Sequence, residues 1–133
     1  MERLVLDSSV WIDIERNKLA LDDVLGDAYQ LILPAVVAAE LRYKFANYLT
    51  GPQKQQEARN FVALVESVCD FAPFDKDIVE KYVDLRSHCK REGVPRSVQD
   101  LMIAATAVAH GALLKSFDSR ANFEELPNVR VLS

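Results

Sequence analysis

Apolar residues along the chain fall into short runs separated by stretches of helical periodicity, and this alternation predicts strands and helices in turn. Leu4-Val5-Leu6 is a short buried strand, and Asp7-Ser8-Ser9 then offers N-cap chemistry to a helix carrying Val10, Trp11 and Ile14. Leu31-Ile32-Leu33 is a second run closed by Pro34, a residue suited to a helix start. Val37, Leu41, Phe45 and Tyr48 then recur at helical spacing until Thr50-Gly51-Pro52 breaks the pattern. Ala58, Phe61, Val62, Val65 and Val68 mark the next amphipathic helix, entered at Pro52, and Asp70 to Phe74 is a third, weaker strand.

Asp75 can cap a helix that presents Ile78, Tyr82, Leu85 and Cys89 on one face and stops at Gly93 and Pro95. Leu101 to Ala109 is apolar almost all round, the mark of a helix enclosed by the rest of the fold. Gly111 closes it before a strand at Ala112-Leu113-Leu114. A last strand, Val129 to Leu132, follows a helical turn near Phe123. Strands alternating with helices predict an α/β fold with a mainly parallel sheet covered on both faces.

With 133 residues, half of them hydrophobic and 27% charged, the chain is sized for one domain, spanning residues 1–133. Met1-Glu2-Arg3 lacks the basic start and long apolar stretch of a signal peptide, and no run approaches the roughly 18 to 20 apolar residues of a membrane span. The expectation is a soluble cytoplasmic protein with no membrane partner. Two cysteines, Cys69 and Cys89, make a poor disulfide framework and sit in no metal spacing, so they are expected as reduced core thiols. A net charge of −4 speaks against nucleic-acid binding through charge alone. Several converging carboxylates that bind cations would make the working protein less negative than this count.

The acids do converge in the predicted topology. Asp7 directly follows the first strand, and Asp118 lies just past the strand ending near Leu114, so both emerge at the carboxyl edge of the sheet. Asp100 occupies the first turn of the enclosed helix, which runs antiparallel to the strand it feeds and therefore starts at that same edge. Glu40 lies further into its helix, but helical side chains lean toward the N-terminus and Glu is long. Each acid alone has a structural explanation: Asp7 as a cap, Asp100 in the near-capping box Ser97-Val98-Gln99-Asp100, Asp118 in an Asx-turn, Glu40 as a helix-surface acid. Independent caps have no reason to share one rim.

Two carboxylates about 4 Å apart repel by roughly 4 kcal/mol at a surface-like dielectric. Divalent ions relieve such crowding, and an all-oxygen set without His or Cys suits Mg²⁺ or Mn²⁺. His88 and His110 are at no ligand spacing. The chemistry implied is phosphodiester hydrolysis with Asp7, Glu40, Asp100 and Asp118 as metal ligands and catalytic acids, in which bound ions lower the pKa of water and stabilise the attacking and departing oxygens.

The motifs around these acids resemble a VapC-type PIN domain over essentially the whole chain. Leu4-Val5-Leu6-Asp7-Ser8-Ser9-Val10-Trp11-Ile12-Asp13 is similar to the family's first motif and Ala38-Ala39-Glu40-Leu41 to its second. Gly93-Val94-Pro95 with Asp100-Leu101-Met102-Ile103-Ala104-Ala105-Thr106-Ala107 resembles the third and most distinctive. Leu114-Lys115-Ser116-Phe117-Asp118 resembles the fourth, with Ser116 in place of the usual Thr. The chain departs from the family where another acid often precedes the Phe: here Asn122 precedes Phe123. The resemblance implies a five-stranded sheet of order 3-2-1-4-5, a metal-dependent endoribonuclease, an RNA substrate, a homodimer and a small cognate antitoxin.

Arg42, Lys44, Arg86, Arg96, Lys115 and Arg120 are candidate phosphate contacts, with solvated surface charge as the plainer explanation. Trp11 is expected in the core, while the run Phe45 to Leu49 fits either core or dimer surface. Two competing functions remain: an aspartyl phosphatase, which wants a second Asp where Ser9 stands, and a PIN scaffold that only binds RNA or protein.

Overall fold

The structure, a computed structural model, describes residues 1–26, 28–48 and 50–133. Five strands, β1 (Glu2–Leu6), β2 (Tyr29–Pro34), β3 (Asp70–Ala72), β4 (Leu113–Lys115) and β5 (Arg130–Val131), form one parallel sheet of order β3-β2-β1-β4-β5. Leu4 is in register with Leu31 on one side and Leu113 on the other, and Ile32 pairs with Asp70. Successive strand side chains point to opposite faces. Leu4, Val5 and Leu6 are all buried, as are Leu31, Ile32 and Leu33, so both faces of the central strands are covered.

The connecting helices are α1 (Ser8–Arg16), α2 (Leu21–Leu25), α3 (Ala35–Tyr48), α4 (Pro52–Val68), α5 (Lys76–Glu92) and α6 (Val98–Ala109). Chain order reverses its direction across the sheet after β3, so right-handed crossovers assign α1, α3 and α4 to one face and α5 and α6 to the other. Val10, Trp11 and Ile14 anchor α1, and Trp11 meets Phe61 edge to face at 6.5 Å between ring centroids. Phe45 is buried against the same ring at 5.9 Å, which answers for the core one end of the run left open by sequence; Leu49 and the side chain of Tyr48 lie outside the described residues. In α6, Leu101, Ile103, Ala104, Ala105, Thr106 and Ala107 are all buried, and the Thr106 hydroxyl is satisfied by the Met102 carbonyl at 2.8 Å.

Boundaries shift where pairing, not periodicity, decides. β3 stops at Ala72 because Pro73 has no N–H for the ladder. Pro34 is the last residue of β2 and α3 opens at Ala35, so the proline closes a strand where it was expected to open a helix. α2 was not anticipated: it is five residues long, and Leu21, Val24 and Leu25, at helical spacing and partly buried against the core, make too short a stripe to stand out. Gly93 ends α5 in the left-handed region at φ 68°, a conformation that favours glycine and turns the chain toward α6. Cys89 is buried and Cys69 is half-buried; burial, with the neighbouring Asp70 carboxylate, pushes the Cys69 thiol up to about 12 and leaves it unreactive at neutral pH. Among the described residues no helix is long and apolar enough to cross a membrane.

Candidate active site

Asp7 is the first residue past β1, and its N–H extends the β1–β4 ladder by bonding the Lys115 carbonyl at 3.1 Å. Its side chain is 5% exposed and caps α1. Oδ1 accepts from the Ser9 N–H at 3.0 Å, the Val10 N–H at 3.4 Å and the Ser9 hydroxyl. The structural role expected of Asp7 alone is therefore real, and it occupies one carboxylate oxygen. Oδ2 takes part in no hydrogen bond among the described residues.

The other acids repeat this division. Glu40, on the second turn of α3, accepts the Ser8 hydroxyl on Oε2 at 3.2 Å, while Oε1 is buried with no hydrogen-bond partner. Asp118, three residues past β4, accepts the Arg120 N–H at 3.0 Å and Arg120 Nε at 3.3 Å, both on Oδ1. Asp100 lies in the first turn of α6, where Ser97 caps the helix by accepting the Asp100 N–H at 3.1 Å. In Asp7, Glu40 and Asp118 alike, a neighbour fixes one oxygen and leaves the other over. Outer hydrogen bonds of this kind orient ligands in metal sites.

The carboxylates are close enough to feel one another. Burial holds the Glu40 carboxyl above its ordinary 4.5; the Ser8 hydrogen bond opposes this, and the charges of Asp100 and Asp7 add to it. Asp100 is raised from 3.8 first by burial, with Asp118 and Asp7 adding and Ser97 and Arg96 opposing. The sheet thus brings all four predicted acids to its carboxyl edge, from β1, α3, α6 and the segment after β4. Among the described residues, no three His, Cys, Asp or Glu side chains are gathered closely enough to hold a metal ion in their present positions. The donor set is an open, all-oxygen rim, which fits a hard cation that keeps several of its waters.

Three serines were undervalued in the sequence. The Ser9 hydroxyl bonds both Asp7 and the Phe117 N–H, at 3.0 Å from the latter, and so ties the segment after β1 to the segment after β4. Ser8 positions Glu40, and the Ser116 hydroxyl accepts the Asp118 N–H at 3.0 Å. Hydroxyls adjacent to acids were the available signal; capping chemistry absorbed it. The basic residues also resolve. Arg42 forms a two-pronged ion pair with Glu66 at 2.7 and 2.8 Å, Arg86 bonds and overlies Tyr82, and Arg120 is held by Asp118.

Arg96 is neither the solvated surface charge that was the plainer expectation nor an exposed candidate for phosphate: its side chain is 7% exposed and bonds the Asn122 carbonyl at 3.2 Å and Glu125 at 3.3 Å. Asn122 holds a left-handed φ of 46° at the turn between two short 3-10 segments, Ser119–Ala121 and Phe123–Glu125. The buried guanidinium pins this turn against the loop that leads into Asp100. Glu125 is largely exposed and Arg96 Nε is buried without a partner, so Arg96→Met is expected to cost only about 0.5–1.5 kcal/mol, the net worth of the bond to the Asn122 carbonyl, measured as a lower urea midpoint with an unchanged m-value.

Residues 4–129 match the family model described as PIN domain. The ribonuclease VapC of Rickettsia bellii is 24% identical over 130 residues, 98% of this chain and 95% of that one. A VapC ribonuclease of Sinorhizobium fredii is 36% identical over 94 residues, 67% of this chain and 65% of its own. Among solved structures, VapBC-5 from Mycobacterium tuberculosis, a member of the VapBC family of toxin-antitoxin systems, superposes with a TM-score of 0.77 at 23% identity, covering 99% of this chain and 98% of that one. That last likeness speaks to the fold.

Proposed function

Because this chain belongs to the PIN domain family, we propose that its carboxylate rim is a divalent-metal centre and that the protein is an endoribonuclease, the toxin of a toxin-antitoxin pair. The observation that carries this reading is the shared division of labour at the rim. Oxygens of Asp7, Glu40 and Asp118 are each held by a neighbouring hydroxyl, N–H or guanidinium, and a second oxygen of each is left over. A cap needs only the first.

Asp7, Glu40, Asp100 and Asp118 would hold Mg²⁺ or Mn²⁺, whose chemistry when bound is to acidify water and neutralise charge building on a phosphodiester. The chain's own part is orientation. Ser9 and the first α1 amides fix Asp7, Ser8 fixes Glu40, and Arg120 fixes Asp118. One of the four acids would also accept the proton of the attacking water. Hydrolysis by water leaves a 5′-phosphate and a 3′-hydroxyl.

The relatives named ribonuclease support RNA as the substrate, and the toxin-antitoxin neighbour supports a cognate antitoxin as the partner. A homodimer belongs to the same proposal. Purified protein freed of any partner is expected to cleave RNA with Mg²⁺ or Mn²⁺ and to lose that activity in chelator. Cleavage undiminished by chelator would overturn the metal centre. RNA binding without cleavage under every metal condition would favour the binding-module reading.

A further inference from the structure

Phe117 is half exposed, in the segment between β4 and Asp118. Isolated exposed apolar residues are ordinary, but this one sits on backbone pinned from both sides. Its own N–H bonds the Ser9 hydroxyl that also holds Asp7, and the next N–H, of Asp118, bonds the Ser116 hydroxyl. The backbone that carries the ring is therefore tied to the segments that carry two of the rim acids, Asp7 and Asp118. Lys115 places its ammonium 5.5 Å from the ring centroid, a cation against the π-face, and is itself steadied by the Ser133 carbonyl at 3.1 Å.

A chain of net charge −4 has little general attraction for phosphates. The basic residues nearest the rim are already engaged: Arg96 is buried and Arg120 is paired with Asp118. Base stacking supplies affinity that does not depend on a basic surface, and it accepts any base because every base has a π-face.

We propose that Phe117, backed by Lys115, is a nucleobase-stacking platform that seats an unpaired base of single-stranded RNA beside the scissile phosphate. This rests on the nuclease reading of the rim. It makes the substrate single-stranded at the cut, since a base inside a duplex offers no free face to the ring.

Two measurements test it. In chelator, to hold off cleavage, Phe117→Trp fluorescence is titrated with single-stranded oligoadenylate. Trp11, 3% exposed beside Phe61, is the wild-type control. Quenching is expected in the variant and not in the parent, and is expected to vanish with an abasic ribose-phosphate oligomer of the same length. With metal present, Phe117→Ala is expected to lose roughly 5- to 100-fold in kcat/KM on oligoadenylate. Phe117→Tyr is expected to retain activity within a few-fold, with unchanged melting temperatures for both.

Unquenched emission with oligoadenylate, or Phe117→Ala as active as the parent, overturns the platform. So does a variant that cleaves normally but loses affinity for the cognate antitoxin, which would assign the ring to a protein partner. Failure of the nuclease reading itself appears separately, as cleavage indifferent to Asp7 and to chelator.

Discussion

Asp7→Asn is expected to abolish RNA cleavage while leaving the fold intact, because the observed cap and the proposed metal ligation by Asp7 fall on different oxygens. The cap uses Oδ1, which accepts two amide N–H groups and the Ser9 hydroxyl. The asparagine carbonyl accepts the same donors, and Asn caps helices about as well as Asp. What disappears is the negative charge and the second carboxylate oxygen. Losing one ligand of a divalent centre removes several kcal/mol of transition-state stabilisation, a rate decrease of roughly 100-fold or more.

Asp7→Ala separates the roles from the other side. It leaves the capped N–H groups of α1 without an acceptor at a nearly buried position and adds about 1 kcal/mol of lost stability to the same loss of cleavage. Melting temperature and kcat/KM, measured on both variants, check the pair. If Asp7→Asn cleaves at the parent's rate, Asp7 is a cap and nothing more.

The edge that gathers the acids was legible because it depends on topology rather than on contacts. An apolar run followed at once by Asp7, and an all-round apolar helix preceded by Asp100, place both residues at the carboxyl edge whatever their neighbours do. The strand order followed from the family resemblance and is the order observed. Ends of short strands were less legible. β4 lies one residue later than its apolar run because Lys115 pairs with Leu6, and a lysine carries no hydrophobic signal. β5 is two residues long and exposed, so the flanking Val129 and Leu132 made it look longer.

Contacts between distant segments were not legible at all. Ser9 reaches Phe117 across 108 positions and Arg96 reaches Asn122 across 26. Nothing local distinguishes a serine that links two segments from one that caps a helix, or an arginine drawn into the protein from one in solvent. Such links decide which acid oxygens are fixed and which are left over. The candidate ligands could therefore be named from sequence, while the residues that orient them required the fold.

Glu40→Gln carries the second large expectation, in which activity and stability move in opposite directions. Burial, with Asp100 and Asp7 adding, raises the Glu40 carboxyl above 4.5, so the folded protein holds this proton more tightly than the unfolded chain does. A raised acid is least costly to the fold below the ordinary carboxyl range. The penalty grows as pH rises through the folded value and is complete above it. In chelator at pH 7 the charged Glu40 therefore opposes folding. Gln keeps an acceptor for the Ser8 hydroxyl and carries no charge, so the variant is expected to melt above the parent, with the difference vanishing toward pH 3, where Glu40 is protonated in both states. Mg²⁺ is expected to reverse the order of benefit: a cation that binds only the folded rim would stabilise the parent more than a variant lacking one of its charges. Cleavage by the variant falls by on the order of 10- to 100-fold for the same reason. Thermal melts across pH, with chelator and with Mg²⁺, check the signs. A variant that melts below the parent at pH 7 in chelator would show that its neighbours do not strain Glu40, and the case for a charge-crowded metal rim would lose its energetic support.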